Sequence, residues 1–231
     1  MTKPIVGAVV GPCGSGKTTF AETWSRRHEH WTTFNVSMTL VQSVGAAVAS
    51  ITDFEQVASV HPAVQARPKY TQVPFEHWLA IDGPKKQHRR LLQELGLYAT
   101  TVYGKEVLIK RLVRSYVEPA LKTHTFEGVW ITGVRRVEEL FYLRGYAENR
   151  GSQFFCLGII PQNIEKVAGQ DHEVESELDN LLNECDGLVD WTGNPDEVAF
   201  RWLPEVEGQL YGRKQHIEQV GGAAVGRVAG A

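Results

Sequence analysis

The sequence predicts an α/β fold in which helices cover both faces of a parallel sheet. Short apolar segments alternate along the chain with segments of helical periodicity, the order that parallel strands joined by crossover helices require. The first apolar segment runs directly into a glycine-rich motif that a helix follows. A length of 231 residues suits one domain with a full core. We therefore expect a single domain over 1–220 and a flexible tail over 221–231.

Composition excludes several classes of protein. The chain has 24 Lys and Arg against 27 Asp and Glu, a net charge of −3, which argues against a large non-specific duplex-binding surface. Its cysteines, Cys13, Cys156 and Cys185, have neither disulfide-framework nor zinc-site spacing. We see no signal peptide and no apolar run of membrane-spanning length, so we expect a cytoplasmic protein without a membrane partner.

The glycine-rich motif, Gly11–Thr18, has the spacing G-x-x-x-x-G-K-[ST] of a phosphate-binding loop. The segment before it, Ile5–Val10, predicts a buried parallel strand, and Thr18–His28 predicts a helix. Glycines allow positive φ, so that successive N–H groups can point at phosphate oxygens beside the positive end of the helix dipole. Lys17 would reach the β- and γ-phosphates, and the Thr18 hydroxyl would bind Mg²⁺. The predicted nucleotide contacts are Gly11, Cys13, Gly14, Ser15, Gly16, Lys17, Thr18 and Thr19.

The middle of the chain leaves two interpretations open. Trp31–Val36 predicts a second strand, and Ser37 is suited to cap a helix through about Ser50. Residues 30–80 could then form an acceptor-binding insert or a long surface excursion. Asp82 ends an apolar run and could hold the magnesium shell through water. The alternative, which we favour slightly, is a loop closed by Gly83-Pro84.

A basic segment, Lys85–Arg90, opens a leucine-bearing helix that Gly96 ends. Such a segment is usually a solvated helix start. The planar guanidinium groups of Arg89 and Arg90 could instead bind phosphate bidentately. Further on, Gly104–Glu118 has the periodicity of an amphipathic helix, which Pro119 is expected to limit.

A second group of arginines follows the predicted central strand Gly128–Gly133. Arg135 and Arg136 come at its carboxyl end, the edge where open α/β sheets bind their ligands. The next helix starts at Val137 and carries Glu138 and Glu139 in its first turn, as the helix dipole favours.

The last third of the chain predicts two more strands and two more helices. Phe154–Ile160 and Gly187–Trp191 read as strands, and Asn194–Leu203 as a helix. Between the strands, an acidic segment with His172 and Glu177 opens a leucine-bearing helix. Acidic clusters at helix starts commonly only compensate the dipole, and a lone histidine is more often structural than catalytic.

Taken in order, these segments resemble the phage-type deoxynucleoside monophosphate kinases of the P-loop nucleotide kinase superfamily, with dephospho-CoA kinase a more distant relative. Five stretches between about residues 4 and 203 carry the resemblance: the loop Gly11–Thr18, Arg90–Gly96, Val134-Arg135 followed by Glu138, Asp171-His172 with Ser176-Glu177, and Asp186–Asp190.

The resemblance implies a P-loop kinase-type three-layer fold that binds ATP and Mg²⁺ on the loop and the acceptor nucleotide across a cleft. Catalysis would then fall to Lys17, Arg90 and Arg135. Contacts to the acceptor would come from Arg89, Arg90, Arg135, Arg136, His172 and Glu177, with a lid over about 161–180. The chain departs from the family at Gly133, where an Asp is usual, and at Ile160, where an Arg is usual.

The expected function is transfer of the ATP γ-phosphoryl group to a nucleotide acceptor, first of all a deoxynucleoside monophosphate. A phosphate acceptor needs no dedicated base, whereas a hydroxyl acceptor would need a carboxylate such as Asp82, Asp171 or Glu177. A hydroxyl acceptor would indicate a kinase for a hydroxymethylated pyrimidine in modified DNA. A P-loop ATPase or GTPase switch is a further alternative, and a homodimer stays open.

Overall fold

The computed structural model describes residues 3–12, 14–37, 39, 96, 99–101, 103–123, 125–161, 177–191 and 201–211. Within them lies one sheet of five parallel strands in the order β2-β3-β1-β4-β5. The strands are β1 (Ile5–Val10), β2 (Trp31–Asn35), β3 (Gly128–Thr132), β4 (Gln153–Pro161) and β5 (Gly187–Trp191). The predicted α/β fold with a parallel sheet is confirmed.

Helices connect these strands. They are α1 (Lys17–Arg27), α2 (Val107–Leu112), α3 (Glu118–Lys122), α4 (Val137–Asn149) and α5 (Leu178–Asn183), and residues 201–211 are also helical and are called α6 here. A π-helical segment, Val113–Val117, joins α2 to α3.

Successive side chains of β1 point to opposite faces of the sheet, so the core has two layers. Ile5 and Val9 pack on one face of the sheet with side chains of α1 and α6. Val6, Ala8 and Val10 pack on the other face with α2, α3, α4 and α5. Because β1 is buried on both faces, its sequence is an uninterrupted apolar run, as parallel strands require.

Trp130 occupies the centre of the α1 layer. Its ring stacks on Trp31 with centroids 5.4 Å apart and meets Trp24 edge-on at 5.5 Å. Two glycines make room for these rings, because a Cβ at Gly7 would lie 2.4 Å from the Trp130 ring and a Cβ at Gly128 would lie 2.6 Å from the Trp31 ring. The glycines of β1 and β3 thus allow bulky indoles to lie flat on the sheet.

The structure corrects three predicted helix boundaries. The helix expected from Gly104 begins at Val107, because Gly104 has a left-handed φ of 94°. That helix also continues past Pro119 to Lys122, since the π-helical segment moves the Glu118 N–H onto the Val113 carbonyl and widens the turn that receives the proline ring. The last helix reaches residue 211 and not Leu203.

Several predicted segments lie outside the described residues. They include residues 40–80 of the predicted insert, residues 162–176 of the 161–180 lid, and the 221–231 tail. Ser37, predicted as the N-cap of a helix to Ser50, is itself helical, and its N–H donates to the Asn35 side chain, which caps the helix in its place. Over the part of the chain that is described, none of the helices combines the length and apolarity needed to cross a membrane.

Replacing Gly7 by Ala should destabilise the protein, because the new methyl group would overlap the Trp130 ring in a closely packed layer. Overpacking of this kind costs about 1–3 kcal/mol. Urea unfolding should show the loss as a lower midpoint.

Gly145→Ala is the matched control, since Gly145 lies in α4 and a Cβ there meets nothing within 4 Å. Alanine in a helix should stabilise the protein by about 0.5–1 kcal/mol. A Gly7→Ala midpoint equal to that of the wild type would contradict the packing described for Trp130.

Candidate active site: a phosphate-binding loop and an arginine turn

The glycine-rich loop lies at the centre of the sheet's carboxyl edge. It follows β1, whose neighbours are β3 on one side and β4 on the other. The connection after β1 leads to β2 on one side of the sheet, whereas the connection after β3 passes β1 and leads to β4 on the other side. Such a switch point leaves a crevice, the usual ligand site of an open α/β sheet.

Three glycines of the loop have left-handed backbone conformations, with φ of 147° at Gly11, 78° at Gly14 and 80° at Gly16. At Gly11 a second constraint applies, because a Cβ there would lie 2.5 Å from the Ile159 carbonyl oxygen of β4. The loop is therefore in backbone contact with the neighbouring strand. Side chains at these positions would strain the turn or separate it from β4.

The N-terminus of α1 is open to an anion. Its N-cap is Gly16, and within the described residues no side chain caps it and no acidic residue stands in its first turn. The first N–H groups of a helix have no partners within the helix, and the helix dipole adds positive potential there. Thr18 is exposed and Thr19 half-buried in this first turn. The arrangement suits phosphate oxygens, which bind at helix N-termini.

Lys17 extends back over the loop. Its ammonium group donates to the carbonyl oxygens of Gly11, at 2.8 Å, and of Pro12, and lies 3.4 Å from the Ser15 hydroxyl. The positive charge is thereby held above the loop. Cys13, which belongs to the same motif, lies outside the described residues.

The second part of the site is the turn Gly133–Arg136 between β3 and α4, called the arginine turn here. Gly133 has a left-handed φ of 82°, and a Cβ there would lie 2.9 Å from the Asn35 side-chain oxygen at the end of β2. A residue with a carboxylate side chain, which is usual in the resembling family, would be strained at this φ and would have to displace the Asn35 side chain. Instead, the neighbouring strand supplies a polar oxygen, which accepts hydrogen bonds from the Ser37 N–H and hydroxyl.

The two arginines of this turn differ in their surroundings. Arg135 is half-buried, while the Arg136 side chain is buried and its guanidinium lies 3.5 Å from a Glu177 carboxylate oxygen and 3.5 Å from the Thr100 hydroxyl. Lys105 also approaches Glu177, at 3.8 Å. Arg136 and Glu177, predicted separately as acceptor contacts, are thus brought together as an ion pair.

Lys105 belongs to a charged cluster beside this pair. Its ammonium donates to Glu138 at 2.5 Å, and that hydrogen bond raises the pKa of Lys105 and lowers that of Glu138. An open cavity of about 520 Å³ borders the cluster, lined by Lys105, Val137, Glu138, Glu177, Asn180, Asn183 and Glu184. Lys105 could not be predicted as part of this cluster, because nothing in the sequence links residues 105, 138 and 177.

Glu139 is the second functional candidate that the sequence analysis missed. Its side chain is only 3% exposed, and one carboxylate oxygen accepts a hydrogen bond from the Arg135 backbone N–H at 2.9 Å. The Arg136 backbone N–H also donates to it. Glu139 is the third residue of α4, the position from which a glutamate reaches back to the N-cap. That spacing was visible in the sequence, but the N-cap here is Arg136 and not Ser or Thr.

Burial raises the pKa of Glu139 to about 7, although the two backbone N–H groups and the guanidiniums of Arg136 and Arg135 oppose the shift. Desolvation of the carboxylate thus raises the pKa of Glu139 by more than these contacts lower it. The folded protein therefore keeps a proton on Glu139 over a pH range in which the unfolded chain has lost it.

Besides Cys13, four predicted site residues lie outside the described residues: Asp82, Arg89, Arg90 and His172. Within the described ranges, no cluster of three or more His, Cys, Asp or Glu side chains could hold a metal ion. Thr18 is the described magnesium candidate, and its exposed hydroxyl in the first turn of α1 fits that role.

Comparison with known proteins yields only distant structural likenesses. No family model matches the chain, and no curated protein matches it. Dephospho-CoA kinase from Campylobacter jejuni is 10% identical with a TM-score of 0.47, over 88% of this chain and 96% of that one. Shikimate kinase from Aquifex aeolicus is 16% identical with a TM-score of 0.43, over 89% and 98%.

The APS kinase of Mycobacterium tuberculosis, in complex with AMPPNP and APS, is 11% identical with a TM-score of 0.40, over 91% of this chain and 99% of that one. All three structures are of proteins named as kinases. TM-scores below 0.5 at such identities carry no conclusion about the activity of this chain, which has to come from its own residues.

The burial of Glu139 predicts how stability depends on pH. Since its pKa rises from 4.5 to about 7 on folding, the free energy of unfolding should fall as pH rises through this window, by up to about 3 kcal/mol. Glu139→Gln removes the titration. The unfolding free energy of the variant relative to the wild type should therefore increase by up to about 3 kcal/mol from pH 4 to pH 8.

Urea unfolding at pH 4, 6 and 8 measures this difference. Glu148→Gln changes an exposed glutamate of the same helix and should give the same difference from the wild type at all three pH values. A Glu139→Gln difference that does not vary with pH would show that folding leaves the pKa of Glu139 unchanged.

Proposed function

We propose that this protein is an ATP-dependent kinase that transfers the γ-phosphoryl group to a nucleotide acceptor, with a deoxynucleoside monophosphate as the acceptor. The observation that carries the proposal is the loop after β1. Its left-handed glycines, the uncapped N-terminus of α1 and the ammonium of Lys17 lie together at the sheet's switch point and would form one phosphate-binding surface.

On the donor side, the loop and the start of α1 would bind the triphosphate through backbone N–H groups. Lys17 would exchange its carbonyl partners for β- and γ-phosphate oxygens. Magnesium, held by the Thr18 hydroxyl, would neutralise charge on the phosphates. The remaining task of the protein is to hold the donor in line with the acceptor.

On the acceptor side, Arg135 is the described cation best placed to meet a second phosphate. It lies on the turn that follows β3, the strand directly beside β1, and its side chain is half-buried. Phosphoryl transfer passes through a loose transition state with charge spread over phosphate oxygens. A positioned guanidinium stabilises that charge without any proton transfer.

The surroundings of Glu177 favour a phosphate acceptor over a hydroxyl acceptor. A hydroxyl would need a carboxylate to take its proton. Of the three carboxylates considered for that task, Glu177 is the one within the described residues. It forms ion pairs with Arg136 and Lys105. One oxygen of that carboxylate therefore already pairs with two cations of the protein. A phosphate acceptor avoids the requirement.

The direct test measures ATP consumption by the purified protein with magnesium and no acceptor, with each deoxynucleoside monophosphate, and with DNA containing hydroxymethyluracil. We expect turnover to depend on a monophosphate, with a nucleoside diphosphate as product. Turnover only with the DNA would identify the hydroxyl-acceptor kinase. Turnover that is unchanged without any acceptor would indicate an ATPase and would overturn both kinase assignments.

Lys17→Ala should lower kcat on the order of 10²- to 10³-fold, because it removes a preorganised cation at the transferring phosphate. The far-ultraviolet circular dichroism should stay that of the wild type. Lys110→Ala is the control, since Lys110 is exposed, pairs with Glu106 one turn earlier and lies over the Tyr142 ring at 5.6 Å. If the Lys17→Ala variant kept wild-type activity, the ATP phosphates would have to bind at another site.

Arg135→Ala should lower kcat on the order of 10²-fold while the Kd for ATP changes little, if the guanidinium acts on the acceptor and the transition state. Steady-state kinetics and calorimetric ATP titration separate the two effects. Arg114→Ala, an exposed arginine on the π-helical segment, should leave both unchanged. An equal loss in ATP affinity would place Arg135 on the donor.

A further inference from the structure

Glu139 stands out as a buried ionisable group that the mechanism above does not use. It lies beneath the arginine turn and accepts hydrogen bonds from the backbone N–H groups of both Arg135 and Arg136. A neutral capping side chain could satisfy these donors without bringing a charge into the protein. The carboxylate therefore calls for an explanation beyond capping.

The arginine turn is fixed at three points, and Glu139 supplies the last of them. At its start, Gly133 is packed against Asn35, and Val134 is buried in the core. At its end, the Glu139 carboxylate accepts hydrogen bonds from the backbone N–H groups of both arginines. With the backbone so fixed, Arg136 is directed inward to Glu177 while Arg135 remains partly open to solvent.

The ionised form of Glu139 is the form suited to this task. A carboxylate offers only acceptor lone pairs, and two backbone N–H groups can bind it at once. A protonated carboxyl group brings a donor into a place where both neighbours are donors. The negative charge also lies beside two guanidiniums, which would otherwise repel each other when no acceptor phosphate is bound.

The charged groups that act most strongly on Glu139 are Arg136 and Arg135 of its own turn. Beyond them lie Glu177, Glu138 and Lys105, which interact with Arg136. The helix α4 packs on β1, β4, α2 and α5. Their ionisable side chains within the described residues are Cys156 on β4, Lys110 and Arg111 on α2, and Asp179 on α5, while β1 has none.

We propose that Glu139 is a positioning residue for phosphoryl transfer, whose buried carboxylate holds the arginine turn so that Arg135 faces the acceptor phosphate. This role rests on the proposed function. It assigns to Glu139 an effect on catalysis that passes through Arg135 and involves no contact with the nucleotide.

The test compares Glu139→Gln with the wild type in kcat and KM for acceptor and for ATP between pH 5.5 and 9. Glutamine keeps the shape and one acceptor oxygen but cannot ionise. At pH 8 we expect kcat/KM for the acceptor to fall about tenfold, the loss of roughly one charged hydrogen bond, with KM for ATP unchanged. Glu148→Gln should match the wild type.

The pH profile gives a second readout. Wild-type kcat/KM should rise with pH and level off above about 7, where Glu139 is ionised. The acceptor phosphate itself titrates near pH 6, and that part of the profile should be common to both proteins. The Glu139→Gln variant should therefore keep the rise due to the acceptor phosphate near pH 6 and lose the rise due to Glu139 near pH 7.

A double-mutant cycle shows whether the effect passes through Arg135. In an Arg135→Ala background, Glu139→Gln should cost less than about twofold, because the group it positions is already gone. A merely structural role would give the same loss in both backgrounds. Equal losses, or a wild-type-like profile in Glu139→Gln, would overturn the positioning role and leave the kinase assignment standing. A wild-type protein that transfers phosphate to no acceptor would overturn both.

Discussion

The pairing of β1 with a parallel strand on each side is the constraint on which the rest of the structure depends. Ile5 is in register with Gly128 of β3 and with Gln153 of β4, so the carboxyl ends of three strands are fixed relative to one another. A slip of one residue would exchange the faces of β1 and place its core side chains in the wrong layer. This register therefore sets the position of the glycine-rich loop relative to the arginine turn.

The N-termini of α1 and α4 at this edge differ in the acidic side chains that surround them. The first turn of α1 has no acidic residue, and its N-cap is a glycine without a side chain. The first turn of α4 has two acidic residues, and Glu139 occupies the N–H groups just before it. The N–H groups at the start of α4 thus bind an internal carboxylate, whereas those at the start of α1 have no side-chain cap and would be available to the triphosphate of the proposed function.

Local patterns in the sequence were sufficient for the sheet and the loop. The apolar runs of β1, β3 and β4 and the spacing of Gly11, Gly16 and Lys17 are sequence-local signals, and their elements are where they were predicted. The helix past Pro119 was mispredicted because a wider turn, which no propensity indicates, receives the ring. The pairing of Arg136 with Glu177 joins residues 41 positions apart, and the burial of Glu139 depends on three-dimensional packing, so neither could be read from the sequence.

The hold of Lys17 on its own loop has a consequence for which anions the loop can admit. An incoming anion would compete with the carbonyl oxygens of Gly11 and Pro12 for the ammonium. A small monovalent ion such as chloride carries one charge and contacts few donors at a time. A polyphosphate chain could replace the contacts of Lys17 and engage several amide groups at the same moment. If the loop binds a triphosphate as we propose, this competition would favour multiply charged phosphates over small anions.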